Sequence, residues 1–291
     1  MHIPLALKRL FLFSICAGLQ AANAAPAQEV HFNSLDGTPL RAWLLQPDAP
    51  ANARIPTVIA LHGCGGLYAR GGAADGKLNE RHQAMAEMLL QEGYAVLWPD
   101  SLTPRGVDQL CTQKIGQRSI TQAERRRDAL AALAWVAAQP WARPNAIALM
   151  GWSHGGSAVL AATDARQSEV AAQRQKFAAA IAFYPGCGAA SKDGYQPNTA
   201  LTLLLGEKDD WTPAAACITL GQAVGAEVHV YPDSYHDFDN PSGKVRLRRD
   251  VPNGLHPGQG VHAGRNPAAR EEAYARVREE LRQALGKSAS K

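Results

Sequence analysis

Apolar residues along this chain gather in short continuous runs rather than alternating with polar ones: Leu40 to Leu45, Pro56 to Leu61, Ala95 to Trp98, Ile147 to Met150, Ala179 to Tyr184, Leu201 to Leu205 and Val228 to Tyr231, with Val30-His31-Phe32 ahead of them. A strand with one wet face alternates, whereas a strand covered on both faces does not, so these runs predict a parallel sheet buried on both sides. Between them, stretches around Leu78 to Glu92, Ala123 to Ala138, Pro213 to Val224 and Pro267 to Leu285 predict helices. Thr121 with Glu124 three residues on has the capping-box spacing, and Asn266-Pro267 offers an N-cap followed by proline at the first helical position. Pro140 and Pro144 separate one helix from the strand after it. Arg125-Arg126-Arg127 reads as a solvated helix face. The order of elements is that of an α/β fold, with a mostly parallel sheet flanked by helices.

The first 24 residues change the picture of where the protein works. Lys8-Arg9, an apolar stretch from Leu10 to Leu19 and Ala22-Asn23-Ala24 together read as a secretory signal peptide with its cleavage site. The apolar stretch is short for a bilayer span, and no small residue stands just before Cys16, so neither a membrane helix nor a lipid anchor is expected. Cleavage removes Lys8 and Arg9, leaving 28 basic residues against 26 acidic ones, a formal charge of +2 in place of +4. That balance implies no nucleic-acid or membrane partner. Residues 25–291, 46% hydrophobic in the whole-chain composition and without linker or repeat, read as one domain. Export to a periplasmic or extracellular compartment leaves Cys64, Cys111, Cys187 and Cys217, an even number where disulfides form. Three pairings are open; the placement of each cysteine in a loop after a predicted strand favours Cys64 with Cys111 and Cys187 with Cys217.

Chemistry enters at Gly151-Trp152-Ser153-His154-Gly155-Gly156, directly after the run Ala146 to Met150. This G-x-S-x-G pattern between a strand and a helix is a nucleophile elbow: a tight turn lifts the serine into a cleft, and flanking glycines let neighbouring segments approach. The N–H of His154 falls at a helix N-terminus, where a developing oxyanion is favoured. Ala60-Leu61-His62-Gly63-Cys64-Gly65-Gly66 is a second strand entering a glycine-rich turn, and offers the N–H of Cys64, or of Gly63, as the other oxyanion donor.

A serine hydroxyl needs a base and the base an orienting carboxylate, which in this topology follow in the order Ser, acid, His. Glu207, Asp209 and Asp210 all lie in one loop after an apolar strand, with Asp209 favoured. His236 lies in the loop after the next strand and is the expected base. Its competitors are placed less well: His154 adjoins the serine but points away, His229 sits within a strand, His82 within a helix, and His62 belongs to the glycine-rich turn. His256 and His262 follow a Gly/Pro-rich excursion, and their spacing makes no metal motif.

With these residues in place, the chain resembles the dienelactone hydrolase family of the α/β-hydrolase superfamily from about His31 to the last helix. The resemblance is carried by L-H-G-C-G-G, W-P-D-S-L-T-P-R-G, G-W-S-H-G-G, L-G-E-K-D-D-W-T-P and Y-H-D-F-D. It implies an α/β-hydrolase fold and a triad at Ser153, Asp209 and His236, which supports Asp209 over Asp210. It also implies that Arg105, after the strand ending in Pro99-Asp100, contacts a substrate carboxylate, although Arg105 is equally suited to pair with Asp100 or a carbonyl. The sequence departs from the family in having Ser153 where the namesake enzymes use cysteine, and His62 where they carry glutamate. A serine needs no special thiolate activation, so hydrolysis of a small carboxylic ester or lactone is expected, with no metal or organic cofactor. A peptidase or acyl transferase on the same scaffold, or an exported binding protein without activity, are the competing expectations. The stretch from Asp239 to Gly264 reads either as a lid or as a surface excursion.

Overall fold

The computed structural model describes residues 27–73 and 75–286; the expected signal peptide lies outside these residues. The elements run β1 (Gln28–Asn33), β2 (Pro39–Leu45), β3 (Ile55–Leu61), α1 (Glu80–Gln91), β4 (Ala95–Asp100), α2 (Gln122–Ala137), β5 (Ala142–Trp152) and α3 (His154–Thr163). They continue as α4 (Ser168–Ala171), β6 (Ala179–Phe183), α5 (Gly188–Lys192), β7 (Leu201–Gly206), α6 (Ala214–Val224), β8 (Glu227–Tyr231), β9 (Arg246–Arg248), β10 (Val261–Ala263) and α7 (Pro267–Leu285).

β1 to β8 form one sheet in the order β1-β2-β4-β3-β5-β6-β7-β8. β1 and β2 pair antiparallel, β2 meets β4 antiparallel, and every pair from β4 through β8 is parallel. The apolar runs have the cause their pattern suggests. Along β5, Ile147 and Leu149 pack into a cluster with α2, α3 and α6, while Ala146, Ala148 and Met150 pack into the opposite cluster with α1 and α7. Each successive residue meets a different core, so none is left for a polar side chain.

The capping signals are realised. Thr121 accepts from the N–H of Ala123 at 3.2 Å while Glu124 accepts from the N–H of Thr121 at 2.8 Å, and Asn266 caps α7 ahead of Pro267. Disulfides join Cys64 to Cys111 and Cys187 to Cys217, each with Cα atoms 5.0 Å apart.

The arginine run on α2 corrects the expectation of a solvated face. Arg125 is wholly buried, and Arg126 and Arg127 share Glu169 through their Nε atoms at 2.8 and 2.6 Å. Arg125, Asp128, Ala129, Ala132, Leu133 and Val136 are all buried at helical spacing, so Arg125 stands on the sheet-facing stripe of α2.

Candidate active site

The strongest local constraint is the turn between β5 and α3. Ser153 adopts φ 52° and ψ −115°, a left-handed backbone that a side chain rarely accepts. The turn is held because α3 lies against β3. A Cβ on Gly155 would fall inside contact distance of the carbonyl oxygens of Leu61 and His62, and only glycine admits that approach. The hydroxyl of Ser153 is thereby presented at the carboxyl edge of the parallel strands, where the loops after β7 and β8 also open.

Those loops bring the other two residues. Ser153 Oγ lies 2.9 Å from His236 Nε2, and His236 Nδ1 lies 2.7 Å from Asp209 Oδ2. Asp209 is fixed in turn: its Oδ1 accepts from the N–H groups of Trp211 and Thr212, both at 2.9 Å, and the Thr212 hydroxyl lies 3.0 Å from its Oδ2. The imidazole is clasped between Tyr184 and Trp211, each with ring centroids 4.5 Å away. Ser153, Asp209 and His236 are all buried, which strengthens the hydrogen bonds between them.

Asp210, the alternative carboxylate, faces elsewhere. It accepts from the backbone N–H of His262 at 2.8 Å and meets His262 Nδ1 at 2.7 Å, while its own carbonyl accepts from Leu255. Asp210 thus anchors the 239–264 excursion, and adjacent aspartates serve two separate structures. The excursion contributes the β9–β10 hairpin, and Lys244, Arg246 and Gly264 from it line the cleft above Ser153. It also pins the histidine loop, because His236 O accepts from Gly264 N at 2.9 Å, and the N-cap of α7 adds to this as Phe238 O accepts from Asn266 N at 2.9 Å.

The cleft measures about 640 Å3, and the turn Gly63 to Gly65, Ser153 and His236 line it together. A Cβ on Gly63 would stand 3.7 Å from the Cβ of Ser153, so this backbone passes directly over the nucleophile. His154 opens α3, and the first N–H groups of a helix have no intrahelical acceptor. The N–H groups of Cys64 and His154 therefore belong to two segments that meet at the hydroxyl.

Arg105 takes the structural role that the sequence also allowed, in place of the substrate contact that the resemblance implies, and its carboxylate partner is Asp128 rather than Asp100. Its guanidinium is bidentate on Asp128, at 2.9 and 2.8 Å, and donates to Ser101 O at 2.9 Å. It joins the strand-end loop to α2 and does not line the cleft. The reason is the buried Asp128 carboxylate, which needs a partner more than a solvated substrate group does.

Sequence reasoning missed a polar layer beneath the site. Arg81 pairs with Asp237 and donates to Tyr184 Oη at 3.0 Å; Asp239 accepts from Tyr184 Oη at 2.6 Å and from Trp152 Nε1 at 2.7 Å. Burial raises the Asp239 carboxyl above its ordinary value against the pull of Arg81, and raises the Tyr184 phenol well above its own. Asp237 and Asp239 stand in Y-H-D-F-D, so their positions were visible although their partners were not. His62 is buried and neutral: burial, then Arg125, lowers it from 6.5 to about 3, and its Nε2 accepts from Ser101 N at 3.3 Å.

Solved structures of low sequence identity share this fold. A solved phosphotriesterase from metagenomic libraries, described as dienelactone hydrolase-like and promiscuous, superposes with a TM-score of 0.61 at 20% identity, covering 91% of this chain and 100% of its own. Esterase 2 of Thermogutta terrifontis, solved after phosphorylation by paraoxon, gives a TM-score of 0.60 at 15% identity, covering 91% and 96%. A puromycin hydrolase gives 0.62 at 14% identity, covering 90% of this chain and 39% of its own. No curated protein matches by sequence. The sequence model of the dienelactone hydrolase family matches residues 40–285, and the chain belongs to that family of hydrolases.

Proposed function

We propose that this protein cleaves a small carboxylic ester or lactone through an acyl-enzyme on Ser153. The observation that carries the reading is the unbroken contact from Ser153 Oγ through the imidazole of His236 to Asp209, at 2.9 and 2.7 Å. With Nδ1–H donating to Asp209, the lone pair of His236 Nε2 faces the hydroxyl. His236 takes the serine proton as Oγ attacks the carbonyl carbon, and the N–H groups of Cys64 and His154 receive the oxyanion. The imidazolium then gives its proton to the departing alkoxide. Water, deprotonated by the same nitrogen, releases the carboxylic acid and restores Ser153. Two disulfides support work in an oxidising compartment, periplasmic or extracellular.

The test is hydrolysis of short-chain aryl esters and simple lactones by the oxidised mature protein beside Ser153→Ala, with labelling by an organophosphate ester. That probe suits the site because the Thermogutta esterase of the same fold is phosphorylated by paraoxon. Turnover and labelling that both vanish in Ser153→Ala are expected. Equal background rates in the two proteins would overturn the reading and favour a binding protein.

A further inference from the structure

We propose that Arg125 is a positioning residue that locks the two halves of the oxyanion hole to each other; this rests on the serine-hydrolase reading above. Its side chain is wholly buried behind the site, under both segments that supply the oxyanion donors. Nη1 donates to the carbonyl of His62 at 2.7 Å, two residues before Cys64, and lies 3.3 Å from Nδ1 of His154, the residue after the nucleophile. No other side chain among the hydrogen bonds of the described residues reaches both segments. Burial and the Arg125 charge together keep the His154 imidazole neutral, well below its ordinary value, so Nδ1 is free to accept.

The charge on Arg125 is hard to explain as an ordinary ion pair. The carboxylates near it are engaged elsewhere: Asp128 holds Arg105 bidentately, and Asp100 accepts from the backbone of Leu102 and Thr103 and from Tyr68. Arg125 forms no salt bridge among the described residues, and its Nε and Nη2 find no hydrogen-bond partner there. A buried cation without a carboxylate is costly, and a core helix facing a sheet could carry leucine or methionine at this position. The two N–H groups of the single nitrogen Nη1, carried at the end of a long planar group, satisfy a buried carbonyl and face an imidazole at once. Removing it frees the glycine-rich turn to shift against α3, and donor displacements of this kind reduce the chemical step while leaving ground-state binding alone.

The experiment compares wild type, Arg125→Met and Arg125→Lys for kcat and KM on one aryl ester, with each preparation's competent sites counted by stoichiometric organophosphate labelling of Ser153. The expected result is a kcat per labelled site lower by about 10²-fold in Arg125→Met, with KM within about twofold, and an intermediate loss in Arg125→Lys. A wild-type kcat per labelled site in either variant, even from a small surviving fraction, would overturn the proposal and leave Arg125 a purely structural residue. If Arg125→Met yields no folded protein, Arg125→Lys decides by the same criterion, since it keeps the charge but its shorter side chain does not place a nitrogen where Nη1 stands between the two segments. Absence of labelling in the wild type itself would instead remove the serine-hydrolase reading, and this proposal with it.

Discussion

Two neighbouring aspartates show how adjacent carboxylates can serve separate structures. Asp209 and Asp210 follow the same strand, yet one carboxylate turns to His236 and the other to His262, each at 2.7 Å. Asp209→Asn leaves the loop's shape intact but removes the charge that holds the imidazole, and should lower kcat by about 10⁴-fold. Asp210→Asn should leave kcat within a few-fold and instead loosen the excursion, read as faster proteolytic nicking between Asp239 and Gly264. Comparable kcat losses in both variants would show that the assignment of the two carboxylates is wrong. The motif made both acids legible as candidates. The family resemblance favoured Asp209, but what Asp210 does instead depends on β10, a strand of three residues whose pairing with β9 no local pattern announces.

Among the elements, the elbow is the unit on which the site depends. α3 packs on β3 through Gly155, and the same approach brings the glycine-rich turn over Ser153. Gly155→Ala introduces a Cβ against backbone carbonyls that cannot rotate away, so α3 has to move as a whole. Loss of activity together with a lowered urea midpoint is expected, whereas a fully active, equally stable variant would show that this contact does not set the site. The helices and strands themselves were readable, since apolar runs and capping residues express local preferences that tertiary packing agrees with. α2 is the instructive exception. Its period places Arg125 on the buried stripe with Ala129 and Ala132, but three consecutive arginines suggest solvent, and charge outweighed period in the reading.

Across the whole molecule, acid should undo the fold earlier than its carboxylates alone would dictate. His62, His82 and His154 are buried and neutral, each lowered first by burial and then by a neighbouring arginine, His62 to about 3. The unfolded chain takes up protons at these positions as the pH falls through about 6.5, and the native chain does not. Stability present above that pH is therefore lost on acidification, approaching about 1.4 kcal/mol per pH unit for each histidine until the native groups themselves titrate. Urea midpoints measured at pH 7.5 and 5.0 should fall markedly between the two, and equal midpoints would exclude the effect. The disulfides act at the same scale, closing separations of 47 and 30 residues. On the chain-entropy account each contributes about 4 kcal/mol, so Cys64→Ala with Cys111→Ala, and separately Cys187→Ala with Cys217→Ala, should each lower Tm. An unchanged Tm in either pair would argue against that contribution.

The sequence by itself determined the class of fold, the turn at Ser153, the choice of His236 as its neighbour and the set of cysteines. Each of these is written in residues close together in the chain: an apolar run, a turn that needs glycine, a cap, a motif. Only the tertiary structure decided that Asp210 meets His262, that Arg105 serves Asp128, that the 239–264 excursion roofs the cleft and pins the histidine loop, and that Arg125 is buried beneath two distant turns. These are partnerships between residues far apart in the chain. A buried charge or carboxylate is satisfied by whichever group the folded chain brings within hydrogen-bond reach, and that proximity has no local signature.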